Sequence, residues 1–100
     1  MSKQHDKKVY IFTLKACPGC KMLCKWLRSI KFEFEELDIK EEVDLWERAK
    51  IEGEMSGGAF ETVPTFMIVD KNGFRYYSNQ PRDWNTPRDG LDSIQGYLAM

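Results

Sequence analysis

The feature that most constrains this chain is Val9-Tyr10-Ile11-Phe12-Thr13-Leu14, an apolar, aromatic and β-branched run that leads at once into Cys17-Pro18-Gly19-Cys20. A short continuous run of this kind is the pattern of a strand covered on both faces. Behind it, Cys20, Leu23, Cys24, Leu27 and Ile30, with Trp26 beside them, recur at spacings of three and four. Lys21, Lys25, Arg28 and Lys31 fall around the polar side, so the segment reads as an amphipathic helix. Phe32 to Ile39 then alternates and reads as a second strand. Strand, helix and strand within about thirty residues make a βαβ unit, with parallel strands and a right-handed crossover.

The remaining elements follow from similar signals. Lys40 to Glu54 reads as a second helix, with Glu41, Glu42 and Asp44 at its start and Gly53 near its end. Val43, Trp46, Ala49 and Leu45 supply its candidate buried side, and Ser56-Gly57-Gly58 a flexible connection. Thr65 to Val69 reads as a third strand, Asp70-Lys71-Asn72-Gly73 as a hairpin turn, and Phe74 to Ser78 as a fourth strand. Asn79 to Arg88 is a polar loop before a short helix over Leu91 to Leu98. The expected architecture is α/β, ordered β-α-β-α-β-β-α, with a four-stranded mixed sheet flanked by helices. One domain over residues 1–100 is expected, with a flexible N-terminus over 1–7 that holds the sole histidine, His5.

Composition narrows the function. Fifteen Lys and Arg against sixteen Asp and Glu leave a net charge of −1, which offers no bulk electrostatic attraction to nucleic acid or an anionic membrane. No apolar run approaches the roughly 18 residues of a membrane span, and Met1 to Lys8 has no apolar stretch of the secretory type. A cytoplasmic protein without nucleic-acid or membrane partners is expected, and a monomer.

The three cysteines, Cys17, Cys20 and Cys24, lie within eight residues. Three are too few for a disulfide scaffold and point to redox or metal chemistry. Cys17 and Cys20 flank the start of the first helix, at a separation that lets two thiols join with little backbone movement. Unpaired N–H groups there favour thiolate over thiol, and Pro18 sits where its missing N–H costs nothing. Cys17 is therefore expected to be the exposed nucleophile with a lowered pKa and Cys20, one turn in, the buried resolving thiol. Lys15 adds positive charge nearby. Cys24 shares a helix face with Leu27 and reads as a packing residue. Zinc or an iron–sulfur cluster is the competing use, but no further Cys or His knuckle completes four ligands, and no metal site is expected. Pro64 in Thr62-Val63-Pro64 suits the start of a strand.

Taken together, Val9 to Ile39 with Cys17-Pro18-Gly19-Cys20, then Thr62-Val63-Pro64-Thr65, then Asp89-Gly90-Leu91-Asp92-Ser93, resemble a glutaredoxin of the thioredoxin fold. The resemblance covers nearly the whole chain after residue 8. It implies a cis Pro64 facing the dithiol and a Val63 backbone that pairs with the glutathione cysteine. It also implies a glutathione carboxylate site where Gly90, Leu91, Asp92 and Ser93 open the last helix, a place that suits anions. The implied substrate-binding set is Lys15, Pro18, Gly19, Thr62, Val63, Pro64, Gly90, Leu91, Asp92 and Ser93, beside the catalytic Cys17 and Cys20. The implied activity is glutathione-dependent thiol–disulfide exchange, with glutathione as co-substrate, no tightly bound cofactor, and disulfide-containing proteins as partners.

The chain departs from the family pattern in three places. Gly19 stands where an aromatic residue is usual. Leu14 takes the place of a lysine, with Lys15 one position later. The Asn79–Arg88 link is long and carries Arg82, Trp84 and Arg88. An arginine there would pair with a carboxylate and Trp84 would cover the groove, unless the loop is merely solvated. These departures keep two alternatives in view. One is a thioredoxin-like redoxin, reduced by thioredoxin reductase and serving ribonucleotide reductase. The other is an iron–sulfur glutaredoxin, against which Pro18 argues.

Overall fold

The computed structural model describes residues 7–99, apart from the side chains of residues 56 and 57. The expected N-terminal lead-in, with His5, lies outside the described residues but for Lys7. The elements run β1 (Lys8–Thr13), α1 (Pro18–Ser29), β2 (Glu35–Asp38), α2 (Val43–Gly57), β3 (Thr65–Val69), β4 (Arg75–Asn79) and α3 (Pro87–Leu98). The fold is α/β, and the sheet order is β2-β1-β3-β4. β1 pairs in parallel with β2, and β3 is antiparallel to both β1 and β4.

Strand alternation divides the core into two layers. Val9 and Ile11 of β1, with Phe66 and Ile68 of β3, meet Leu23, Cys24 and Leu27 of α1 and Leu91 and Ile94 of α3. On the opposite face, Phe12, Met67 and Tyr77 meet Trp46 and Ala49 of α2 together with Phe60. β1 and β3 are thus buried on both faces, which is why their sequences lack the polar alternation of a one-sided strand. Each large core side chain contributes about 1.5–3 kcal/mol through burial.

Several element boundaries differ from the sequence expectation. β2 is shorter than Phe32 to Ile39; Phe32 and Phe34 precede it and pack against the α1 layer. Ile30 and Val43, expected to be buried, are exposed. α2 starts at Val43 because the amides of Glu41 and Glu42 close a turn onto the Asp38 carbonyl first. It then continues through Gly53 and through Ser56 and Gly57, where a flexible connection was expected. Gly53 is retained inside the helix for packing, since a Cβ there would lie 2.0 Å from the Phe60 ring. The chain leaves α2 at Gly58, whose φ of 114° lies in the region glycine favours.

The last helix departs most. It begins at Pro87, not Leu91, because Thr86 caps it: Thr86 Oγ1 accepts from the Asp89 amide at 3.2 Å, and Pro87 takes the first helical position. Trp84 is neither a solvated loop residue nor a groove cover. It is 4% exposed and packs into the α1/α3 layer, its ring 5.5 Å from that of Phe66.

Candidate active site

The sheet register gathers the chemistry at one end. Phe12 lies opposite Thr65 and Thr65 opposite Asn79, so the end of β1, the start of β3 and the end of β4 are neighbours. The Cys17 turn leaves from that end of β1, Thr62-Val63-Pro64 enters β3 there, and Asn79-Gln80 leaves β4 there.

The amide of Cys17 donates to the Leu14 carbonyl at 2.9 Å, which turns the chain from strand into helix. Cys17 is the N-cap of α1 and Pro18 the first helical residue. Cys17 Sγ accepts from the Cys20 amide at 3.1 Å, in the role that a serine or aspartate oxygen ordinarily fills at this position. All three cysteines are free thiols; Cys17 is partly exposed, whereas Cys20 and Cys24 are each 1% exposed. Burial pushes the Cys20 thiol up from 9.0 to about 12, and its hydrogen bond with Cys17 adds to the rise. Burial likewise pushes Cys24 up to about 11, with the Glu36 carboxylate adding to it. Among the described residues no three His, Cys, Asp or Glu side chains are grouped to hold a metal ion.

Lys15 is exposed and lines a shallow groove with Thr13, Leu14, Lys21, Glu36, Asp38 and Glu41. Thr13 Oγ1 donates to Glu36 at 3.2 Å, and Arg28 pairs with the same carboxylate at 3.0 Å. Pro18 and Gly19 are exposed, and a Cβ built on Gly19 would meet nothing within 4 Å. The first helical turn is therefore open on its outer side.

Pro64 is buried, and the Val63–Pro64 bond is cis, as is Gln80–Pro81. Thr62 Oγ1 donates to the Gln80 carbonyl at 2.6 Å, and the Gln80 amide donates to the Pro64 carbonyl at 3.3 Å. Asn79 Nδ2 donates to the Thr62 carbonyl at 2.9 Å and to Thr65 Oγ1 at 2.8 Å. Asn79 and Gln80 were not singled out from the sequence. They stand at the head of a stretch that reads as loop, and their partners lie 14 to 18 residues away.

The expected start of the last helix at Leu91 is corrected to Pro87, which changes the setting of Gly90, Leu91, Asp92 and Ser93. These residues do not open α3; they lie in its first and second turns. Gly90 is buried against Trp84, where a Cβ would lie 2.8 Å from the indole. Leu91 is in the core, and Ser93 Oγ is hydrogen-bonded to Ser78 Oγ at 2.8 Å. Asp92 alone remains exposed. Arg82 is likewise committed to structure. Its guanidinium donates to the carbonyls of Gly53, Gly58 and Tyr77, pairs with Asp83 and lies over Phe60. Arg88 is exposed in the first turn of α3.

A mixed four-stranded sheet with helices on both faces, carrying two cysteines around the first turn of the first helix, defines a thioredoxin-like fold with a dithiol site of the oxidoreductase type. The glutaredoxin family profile matches residues 9–72, well over half of the sequence, and the chain belongs to the glutaredoxin family. The matched stretch takes in the dithiol and Thr62-Val63-Pro64 and ends before β4. A comparison with curated proteins finds no match. No described helix is long and apolar enough to cross a membrane.

Proposed function

We propose that the protein reduces disulfides by dithiol exchange at Cys17 and Cys20, with glutathione as the electron donor. The observation that carries this is the inequality of the two thiols: Cys17 is partly exposed and accepts an N–H at its sulfur, while Cys20 is buried and held protonated. Cys17 thiolate attacks one sulfur of a substrate disulfide, forming a mixed disulfide and expelling the other half as a thiolate, which takes up a proton. Cys20 then gives up its proton and attacks Cys17 Sγ, releasing the second half as a thiol and leaving a Cys17–Cys20 disulfide. Two glutathiones reduce that bond and leave as glutathione disulfide.

The rise at Cys20 comes first from burial but in part from Cys17 itself. Once Cys17 is bonded to substrate, its share is removed, and Cys20 ionises more readily at the step that needs it. Lys15, Pro18, Gly19, Thr62, Val63 and Pro64 form the proposed substrate edge, with Val63 offering its backbone to an extended thiol-bearing chain. Small disulfides and disulfide-bearing proteins fit this open edge, and a dithiol that works in the reduced form suits a reducing compartment such as the cytoplasm.

The test is a glutathione-coupled assay with Cys variants. Cys17→Ser should abolish reduction of every disulfide. Cys20→Ser should abolish reduction of protein disulfides and spare glutathione mixed disulfides. Full activity in Cys17→Ser would overturn the assignment, and turnover with thioredoxin reductase but not glutathione would replace the donor.

A further inference from the structure

We infer that Asn79 is a positioning residue that sets the substrate-binding turn Thr62-Val63-Pro64; the inference rests on the dithiol-exchange reading above. Asn79 ends β4, an outer strand of the sheet, where a polar side chain ordinarily faces solvent. It is instead 1% exposed. A buried carboxamide must find partners or lose the free energy of its hydration. Asn79 spends its donors across the sheet end: Nδ2 reaches the Thr62 carbonyl and Thr65 Oγ1, and Thr65 Oγ1 in turn donates to the Thr62 carbonyl at 2.8 Å. Its Oδ1 accepts from the Arg82 amide at 3.3 Å, and its own amide donates to Asp83 at 2.8 Å, which ties the group to the following turn.

The effect falls on one segment. Thr62 and Thr65 are held by the carboxamide, and the Pro64 carbonyl by the next residue, Gln80. Val63 stands between them, and among the described residues its backbone groups have no hydrogen-bond partner. The flanks are thus fixed while the central peptide is left open for an incoming chain. Pre-set geometry at a binding edge lowers the ordering cost of substrate association, so the loss should appear in substrate capture rather than at the sulfur.

The experiment compares wild type with Asn79→Ala and Thr62→Val, using a glutathione–peptide mixed disulfide as substrate and iodoacetamide as a direct probe of Cys17. Thr62→Val removes an exposed hydroxyl that donates to the Gln80 carbonyl and accepts from Asn79 Nδ2 at 3.3 Å, and it decides the matter should Asn79→Ala not fold. KM is expected to rise about tenfold in Asn79→Ala and severalfold in Thr62→Val, the scale of one or two lost hydrogen bonds. The pH profile of Cys17 alkylation should match wild type. Folded variants with an unchanged KM, or a parallel fall in kcat and alkylation, would overturn the inference. A wild-type protein that reduces no disulfide would instead overturn the parent reading and this one with it.

Discussion

Cys17 and Cys20 differ because a single helical turn carries one from the surface into the core. Cys17 precedes the first helical residue and keeps one side to solvent, whereas Cys20 lies among packed side chains. The Cys17 contribution to Cys20 can be isolated. Replacing Cys17 by alanine should lower the Cys20 titration from about 12 while leaving it above 9.0, because burial, the larger cause, remains. Thiolate absorbance against pH measures this, and an unchanged value would show that burial alone sets it. Cys24 needs no redox role to explain its presence: it fills a core position beside Leu23 and Leu27. The dithiol was legible because its residue types and spacing are local. Asn79 was not, because nothing within five residues of it announces a bond to Thr62.

At the scale of elements, α3 shows why a helix end can be misread. Leu91 to Leu98 carries the apolar periodicity, but the start is decided by Thr86 and Pro87, which cap and begin the helix before any apolar residue. Moving the start back by a turn changes the meaning of Gly90. It provides the flat surface onto which Trp84 packs, as Gly53 does for Phe60. Gly90→Ala gains helix propensity of about 1 kcal/mol but drives a methyl group into the indole, an overpacking cost of about 1–3 kcal/mol. The variant should be less stable than wild type in urea-melt midpoints; a more stable protein would mean that Trp84 moves aside freely. Arg82 extends the same logic to the preceding turn, joining it to the end of α2 through the carbonyls of Gly53 and Gly58.

Across the whole molecule, the α2 layer is tied to β4 by Glu52, which accepts from Arg75 and from the Tyr77 hydroxyl. The Arg75 hydrogen bonds hold the Glu52 carboxyl down, from 4.5 to about 2, against the opposing effect of burial. A lowered carboxyl contributes stability that is fully present above 4.5 and is lost as pH falls toward 2. The thiols act in the opposite sense: Cys20 and Cys24 are raised, so their contribution is complete below 9.0 and is lost as pH climbs toward 11 and 12. Denaturant melts of Glu52→Gln at pH 7, 3 and 2 should show a deficit against wild type at neutral pH that shrinks as pH falls. A deficit independent of pH would assign the loss to packing and not to charge.

The sequence by itself determined the order of strands and helices, the parallel pairing of β1 with β2, and the closeness of Cys17 and Cys20 around the first turn of α1. Each of these rests on local periodicity or on residues within one turn of each other, and such signals survive in a linear string. Tertiary structure alone decided that Arg82 braces α2, that Trp84 is core, that Gly90 is a packing surface and that Asn79 grips the Thr62 turn. Each depends on a partner brought near by the fold from another part of the chain: Arg82 reaches Gly53, 29 residues back. The identity of a side chain restricts which bonds it can make, but the folded sheet selects which of them it does make.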